Sequence, residues 1–228
     1  MGAGSLDWSF ITKYTPMYVK AAGLTLRIGA LGILLAILVG LMCCMARYLK
    51  VPVVRRICGA YIELARNTPL LVQLFFLYFG LPKVGIKISG EACAVIGLTF
   101  LGGAYMAESF RSGLDAVDKS QTEAGMCIGL TRMQNIRFVI FPQALATAVP
   151  SLCANVIFLL KETSVFSAVA LADLMYVAKD LIGMYYKTDE ALLMLVAAYL
   201  VILLPISLIF SLIERRLRYA GFGNRGTV

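Results

Sequence analysis

A long apolar run from about Ala21 to Ala46 is the feature that most limits what this chain can form. A helix needs about 20 apolar residues to cross the hydrocarbon core of a bilayer, and this run is longer than that. Composition agrees, because charged residues make up 15% of the chain and the mean hydropathy is +0.84. A soluble domain would carry about 25% charged residues. The sequence therefore predicts a membrane protein.

The other apolar runs predict an all-α integral membrane protein with five transmembrane helices. The 228 residues leave room for five or six spans and their loops, but not for a separate catalytic domain. Small residues recur every four positions in the first span, at Gly32, Ala36 and Gly40, which predicts a flat face for close helix packing. We predict a single transmembrane domain, residues 1–228, whose spans cover approximately residues 21–46, 64–81, 92–109, 144–172 and 191–213.

Lysine and arginine are distributed unevenly between the predicted loops. Five spans place the two ends of the chain on opposite sides, and the loops of one side carry twelve basic residues against six on the other. By the positive-inside rule we expect the N-terminus outside and the C-terminus inside. The twelve are Arg47, Lys50, Arg55, Arg56, Arg111, Lys119, Arg132, Arg137, Arg215, Arg216, Arg218 and Arg225, and the six are Lys13, Lys20, Lys83, Lys87, Lys179 and Lys187.

Residues 120–142 form a polar and basic insert, which this orientation places in the cytoplasm. Its first half has the pattern of a capping box, in which the Ser120 hydroxyl accepts from the Glu123 amide and the Glu123 carboxylate reaches back to the Ser120 amide. Gly129 is expected to end this helix, because glycine tolerates a positive φ at C′. Helical spacing places three apolar or small residues on one face: Ala124, Cys127 and Ile128.

The second half of the insert repeats the pattern. Thr131 is the expected cap, Gln134 completes the box three residues later, and we expect the helix to stop before Pro142. Its apolar residues share one face: Met133, Ile136 and Ile140. The insert is therefore predicted to be a bent element of two short helices.

A spaced set of residues in the insert resembles a known motif. The set is Glu123, Ala124, Gly125, Gly129, Val139, Phe141 and Pro142. It resembles the EAA motif of permease subunits of bacterial ATP-binding cassette (ABC) importers, which reads EAA, three residues, G, nine residues, I-x-L-P. The resemblance implies that the insert docks into a groove of an ATPase, with the coupling residues Glu123, Ala124, Gly125, Gly129 and Pro142.

One departure from the motif and one alternative explanation qualify this interpretation. Gly125 departs from the alanine of the motif and is expected to loosen the first helix, since glycine costs about 0.8–1 kcal/mol relative to alanine. The alternative interpretation is an amphipathic cytoplasmic loop with no partner, because a Ser-x-x-Glu box alone is common at helix starts.

Two further segments resemble the polar amino acid subgroup of this family, the histidine, glutamine, glutamate, arginine and cystine type of permease. They are YIELARNTPL at the start of the second span and GAYMAESFRSG at the end of the third. Glu63 and Arg66 are three residues apart, and we expect them to pair on a helix face. Glu108 and Arg111 have the same spacing, which leaves either a structural ion pair or a role in transport.

The stretch Leu159–Ser164 holds the charges that bear most on chemistry inside the membrane. A charged side chain near the bilayer centre costs about 2.5–3.5 kcal/mol, so it normally faces a cavity or a partner. Glu162 could accept from the ammonium of an amino acid, and the hydroxyls of Thr163 and Ser164, or freed amides, could donate to its carboxylate. The stretch also resembles the subgroup's Lys-[Asp/Glu]-[Thr/Ser]-Ser motif beside the substrate pocket. The proposed substrate set is Asn155, Lys161, Glu162, Thr163 and Ser164.

The alternative for Lys161 and Glu162 is structural. They would then lie near an interface, or pair with Glu108 or another helix.

The sequence also limits the chemistry of the chain itself. It contains no GxxxxGK[ST] loop for ATP phosphates, no histidine and no CxxC pair among its six cysteines. We therefore expect a transport subunit and not an enzyme, with no metal or cofactor of its own, and ATP and Mg²⁺ bound by a partner ATPase. The excess of basic residues is explained by topology and predicts no nucleic-acid partner.

The resemblance implies the rest of the assembly. A bacterial cytoplasmic (inner) membrane complex is expected, with two ATPase subunits, a second permease subunit, an extracytoplasmic solute-binding protein and an amino acid substrate. The alternative function is a membrane scaffold or sensor subunit that docks an ATPase but transports nothing.

Overall fold

The computed structural model describes residues 6–48 and 52–219, with side chains up to residue 217. Lys50 and Arg225, on which the expected orientation partly depends, lie outside these residues, as does the side chain of Arg218. No strand occurs in the described ranges. The α-helices are α1 Trp8–Tyr48, α2 Pro52–Arg66, α3 Leu70–Phe75, α4 Gly90–Asp115, α5 Lys119–Cys127, α6 Arg132–Asn135, α7 Phe141–Glu162, α8 Leu174–Tyr185 and α9 Thr188–Tyr219.

Several α-helices continue into other helical forms. A π-helical turn, Phe76–Gly80, and a 3₁₀ turn, Leu81–Val84, follow α3. A second π-helical turn, Ile136–Ile140, joins α6 to α7, and a 3₁₀ segment, Thr163–Val169, follows α7. Among the described residues, four helices are long and apolar enough to cross a membrane: α1, α4, the run Arg132–Val169 and α9. The pair formed by α2 and the helix Leu70–Val84 makes a fifth if it counts as one span.

The second predicted span, residues 64–81, is not continuous. Its two helices meet at an angle of 102° across Asn67–Pro69. Pro69 has no backbone N–H and disfavours the helical conformation of the residue before it, so a straight helix cannot pass this point. The Gln73 side chain donates to the carbonyls of Ala65 at 3.2 Å and Thr68 at 3.0 Å, which satisfies acceptors that the break leaves open.

The flat face predicted on the first span is confirmed, because α1 packs closely against α4. A Cβ atom at Gly40 would lie 2.5 Å from the Met106 Cβ and 2.8 Å from the Ala107 nitrogen. One turn earlier, Ala36 is fully buried and faces Gly102. The absence of side chains lets the two backbones approach, and the contact forms the centre of the bundle.

A polar link joins α4 to α7. The Asn155 Nδ2 donates to the Ser109 Oγ at 2.7 Å, and the Ser109 and Ser151 hydroxyls are 2.7 Å apart. Hydrogen bonds between polar side chains of this kind join neighbouring helices in membrane proteins. Asn155 therefore has a role in positioning helices.

The polar stretch between the last two predicted spans contains α8. Asp173 caps this helix, since its Oδ1 accepts from the Tyr176 amide at 2.8 Å. The buried face of α8 packs against Phe10, Tyr14 and Tyr18 at the beginning of α1. The first turns of α1 and the segment before α9 thus form one end of the bundle.

Candidate functional site

A cavity of about 360 Å³ opens beside the break between α2 and α3. Residues from three parts of the chain meet there, because the break, the middle of α4 and the end of α7 lie side by side. Two of the lining residues are charged, Arg66 from α2 and Glu162 from α7. The polar and aromatic residues of the wall are Asn67, Thr68, Tyr105 and Phe158.

Arg66 reaches across to α4 instead of pairing along its own helix. Its guanidinium lies 5.5 Å from the centre of the Tyr105 ring, and its Nη1 is 4.0 Å from the Glu108 carboxylate. The pair predicted between Glu63 and Arg66 is therefore wrong, since no such ion pair occurs among the described residues. The Glu63 carboxylate instead accepts from the side-chain Nδ2 of Asn67, the first residue of the break, at 3.3 Å.

Glu108, one turn after Tyr105 on α4, binds arginines from three helices. Its carboxylate lies 2.6 Å from Arg111 and 2.9 Å from Arg47, so the pair predicted within α4 is present in the structure. Arg111 also contacts Asp115 at 2.6 Å. The Glu108 carboxylate is shared with Arg47 and Arg111, which lie closer to it. Arg66 therefore has only a weak, 4.0 Å contact with Glu108.

Of the five residues expected to contact substrate, only Glu162 lines the cavity. Lys161, its neighbour, is exposed to the outside of the bundle. Thr163 is fully buried, and its hydroxyl donates to the Leu160 carbonyl at 2.7 Å. Asn155 is engaged with Ser109, as described above, and Ser164 is half-buried and does not line the cavity.

Sequence reasoning missed Arg66 as a cavity residue. It assigned Arg66 to a local pair because helical spacing alone shows only neighbours on the same helix. The one available signal was Thr68-Pro69, which marks a break and hence a place where a polar side chain can turn into the bundle.

The first helix of the insert, α5, begins at a different cap from the one expected. Asp118 is the N-cap, and its Oδ1 accepts from the Ser120 amide at 2.8 Å, so the box predicted between Ser120 and Glu123 is not formed. Aspartate and serine are similar in strength as caps, but the carboxylate also interacts with the helix dipole. The hydrogen bond from the Ser120 amide lowers the pKa of Asp118.

The end of α5 is as predicted. Gly129 has a φ of +83°. Its amide donates to the Met126 carbonyl at 3.0 Å, and the Leu130 amide donates to the Gly125 carbonyl at 3.1 Å. These two bonds form a Schellman motif, which requires the left-handed residue that glycine supplies.

The second box of the insert is confirmed, but the helix does not stop at Pro142. The Thr131 and Gln134 side chains cap α6 reciprocally. The chain then continues through the π-helical turn into α7, so that Arg132–Val169 forms one helical run. Pro142 lies in the first turn of α7, where a missing N–H is tolerated, and the wider π turn relieves its clash with the preceding turn.

Gly125 permits a close approach within the insert. A Cβ atom there would lie 2.5 Å from the Oδ1 of Asn135, which is 1% exposed. The Asn135 Nδ2 donates to the Thr122 carbonyl at 2.7 Å and so ties α6 to α5. The expectation that this glycine only loosens α5 is therefore incomplete, because it also makes room for the tie.

The opposite side of the insert is exposed and partly apolar. Ile128 is 77% exposed and Met133 is 64% exposed. Ala124 and Cys127 are exposed as well, so the face predicted on the first helix points outward. In contrast, Ile136 and Ile140 are buried against the rest of the chain.

Comparison with known proteins identifies the family. Residues 31–219 match the family described as the binding-protein-dependent transport system inner membrane component. The chain belongs to this family. It is therefore an inner-membrane permease subunit of an ABC transporter and not an enzyme, since ATP hydrolysis in these systems is carried by separate ATPase subunits. No group of three or more metal-ligating side chains is found within the described ranges.

Curated relatives support this assignment over most of their length. The chain is 35% identical over 196 residues to PatM, a probable amino-acid ABC transporter permease of Vibrio harveyi, which covers 85% of this chain and 88% of the relative. It is 33% identical over 214 residues to GlnP, the glutamine transport system permease of Escherichia coli strain K12, which covers 93% of this chain and 98% of the relative.

Solved structures agree with the fold of this permease. The crystal structure of an amino acid ABC transporter with histidines superposes with a TM-score of 0.87 at 34% identity, covering 93% of this chain and all of that chain. The MetNI methionine ABC transporter, in inward-facing conformations, superposes with a TM-score of 0.72 at 21% identity, covering 90% of this chain and 98% of that chain, and supports the fold alone.

Proposed function

We propose that this permease moves polar amino acids across the cytoplasmic membrane, and that the cavity between Arg66 and Glu162 is its substrate site. An amino acid zwitterion presents a carboxylate and an ammonium group, and a buried site must offer a donor for the first and an acceptor for the second. Arg66 and Glu162 offer this pair within one cavity, and this observation carries the proposal. Its volume of about 360 Å³ lies within the range of pockets for small ligands.

Neither Arg66 nor Glu162 is fully neutralised by an ion pair with another side chain of the described residues. Within the described ranges, Arg66 has one ion-pair partner, Glu108, at 4.0 Å. Glu162 has no ion pair among the described residues. A zwitterion bound between the two groups would compensate both charges at a depth where isolated charges are costly. The amino acid and glutamine named for the relatives support this substrate class.

The insert α5–α6 would be the ATPase-docking element. Its exposed surface carries Glu123 and the apolar side chains of Ile128 and Met133, which suits a partner groove. We place this element and the C-terminus in the cytoplasm and the N-terminus outside, on the distribution of basic residues. Family membership implies an ATPase and a binding protein as partners. We propose two ATPases that bind ATP and Mg²⁺, a second permease subunit and an extracytoplasmic binding protein.

The helical run Arg132–Val169 links the docking element to the cavity. It begins in the insert and carries Phe158 and Glu162 of the cavity wall. The Gln143 Nε2 also lies 3.3 Å from the Gln121 Oε1 and joins α7 to α5. Movement of the insert by the ATPase would therefore displace one wall of the cavity, which is a route to alternating access.

The test is uptake of radiolabelled amino acids into proteoliposomes that contain the permease, its ATPase and its binding protein. Glu162→Gln removes the acceptor charge and is expected to lower ATP-dependent uptake by about tenfold or more. Lys161→Gln is the matched control, because Lys161 is adjacent, charged and outside the cavity. It should transport normally.

Assembly is measured in the same preparations by co-purification of the ATPase. If ATPase binding is intact and no amino acid accumulates in the wild-type vesicles, the chain is a docking scaffold and the substrate proposal fails. If Glu162→Gln transports as well as Lys161→Gln, the cavity is not the substrate site.

A further inference from the structure

A second cavity, of about 370 Å³, opens where the ends of α1 and α4 meet the beginnings of α2 and α6. Each of these four helices contributes one arginine to it: Arg47, Arg55, Arg111 and Arg132. Asp115 is the single acidic side chain among the described residues of its wall. This four-arginine cavity is separate from the cavity of Arg66 and Glu162.

The four arginines differ in whether they have an ion-pair partner. Arg47 and Arg111 are held by the Glu108 carboxylate at 2.9 and 2.6 Å. Arg55 and Arg132 have no ion-pair partner among the described residues. The cavity therefore keeps an excess of positive charge from two guanidinium groups on different helices. Guanidinium groups converging on one space match the geometry of a phosphate group, which accepts several charge-assisted hydrogen bonds at once.

The outer face of α2 is apolar. Val53 is 68% exposed and Ile57 is 63% exposed, and they lie one turn apart on this face, about half a turn around the helix from Arg55. The opposite face of α2 is buried through Cys58 and Ile62. A helix with an exposed aliphatic face and basic residues on its other sides is typical of a membrane interface, where the apolar face enters the acyl region.

We propose that the four-arginine cavity binds a phosphate group, and that the headgroup of an anionic phospholipid in the cytoplasmic leaflet supplies it. The phosphate chemistry follows from the four arginines alone. The lipid as its source depends also on the exposed aliphatic residues of α2 and on the orientation proposed above. Binding would hold the ends of α1 and α4 and the beginning of α2 against the first turn of α6, the second helix of the ATPase-docking insert.

The experiment uses the full chain purified in a neutral detergent and measures its thermal unfolding midpoint. Three probes are titrated: dihexanoyl phosphatidylglycerol, dihexanoyl phosphatidylcholine and inorganic phosphate. The first is expected to raise the midpoint in a saturable manner and the second to have little effect. In the double variant R55Q/R132Q, the apparent dissociation constant for the anionic lipid should rise by about tenfold or more, since each lost guanidinium removes a charge-assisted contact.

The matched control is R56Q/R137Q, which removes the same charge from two exposed arginines that do not line the cavity, one in α2 and one in the π-helical turn after α6. It should bind the anionic lipid as the wild type does. Both variants change exposed side chains, and the starting midpoint without lipid reports whether each is folded. If the double variant R55Q/R132Q is not folded, the single substitutions Arg55→Gln and Arg132→Gln are measured in its place.

Each outcome decides a part of the proposal. Saturation by inorganic phosphate with no further effect of the lipid would keep the phosphate site and reject the lipid source. Equal responses to the two lipids, or equal losses in the two double variants, would overturn the proposal. None of these results depends on amino acid uptake, so failure of the transport proposal would be seen separately.

Discussion

The carboxamide of Asn135 occupies the space that a side chain at Gly125 would fill. Its Oδ1 lies 2.5 Å from the position of a Cβ atom there, and its Nδ2 is bonded to the Thr122 carbonyl. The two helices of the insert are thus joined through a position that helix propensity alone would assign to alanine. A substitution at Gly125 therefore tests whether the contact with Asn135 or the helix propensity of residue 125 has the larger effect on stability.

We expect Gly125→Ala to destabilise the wild-type protein by about 1–3 kcal/mol through overpacking. In an Asn135→Ala background the clash is absent, and the same substitution should stabilise α5 by up to about 1 kcal/mol because alanine is the better helix former. Thermal unfolding of the four proteins of this cycle in detergent measures the change of sign. An equal effect of Gly125→Ala in both backgrounds would contradict the contact.

The cap of α5 is tested by removing each candidate acceptor. Asp118→Ala is expected to cost about 1 kcal/mol of local stability, because the Ser120 amide loses its partner. Ser120→Ala should have little effect, since its hydroxyl does not cap the helix. Hydrogen exchange of the amides of α5, followed by mass spectrometry, measures both. Faster exchange in Ser120→Ala than in Asp118→Ala would restore the original capping box.

The contact between α1 and α4 depends on Gly40. Gly40→Ala places a Cβ atom against Met106 and the Ala107 backbone and should lower stability by about 1–3 kcal/mol. Gly23→Ala is the control on the same helix, because nothing lies within 4 Å of a Cβ at that position. It should leave stability unchanged or raise it. Unfolding midpoints of the two variants separate close packing from helix propensity, which would favour alanine at both sites.

Asp173 predicts a pH dependence of stability. Burial raises its pKa to about 6, against the weaker opposing influence of hydrogen bonds from the backbone amides at the start of α8 and of the charge of Lys179. The folded protein therefore holds this proton between about pH 4 and 6, whereas the unfolded chain has released it, and stability decreases as pH rises through that window. Asp173→Asn keeps an acceptor for the Tyr176 amide and removes the charge.

We expect Asp173→Asn to raise the unfolding midpoint at neutral pH and to flatten its decline between about pH 4 and 6. Asp189→Asn, which changes an exposed carboxylate in the first turn of α9, is the control and should keep the wild-type profile. The measurement is the unfolding midpoint of each protein across this pH range. A wild-type slope in Asp173→Asn would show that another group titrates.

Arg66→Lys tests whether the cavity needs a guanidinium group, and not only a positive charge, to bind the substrate carboxylate. Lysine keeps the charge but loses the paired donors and the stacking on Tyr105, so we expect uptake to fall by about tenfold, mainly through a higher KM. Co-purification of the ATPase should be unchanged. Wild-type kinetics in Arg66→Lys would mean that the cavity requires only a positive charge at this position.

Local features of the fold followed directly from the sequence. The apolar runs predicted an all-helical membrane protein, and the Gly129 end and the Thr131 cap were predicted correctly. Transfer of about 20 apolar residues into a bilayer is a property of a contiguous segment. Caps and C′ glycines likewise involve residues within a few positions of each other. Such features require no knowledge of the rest of the chain.

The break in the second span follows from Pro69, a local signal that the predicted span overlooked. Tertiary structure decided the partner of Arg66 and the contents of the cavity. Helical spacing placed Glu63 beside Arg66, but the bend turns Arg66 toward Glu108 on α4 and toward the cavity of Glu162 on α7. Gly125 likewise depends on Asn135, which belongs to the next helix. The physical reason is that each of these positions is determined by contacts between segments distant in sequence, whose energies no local pattern contains.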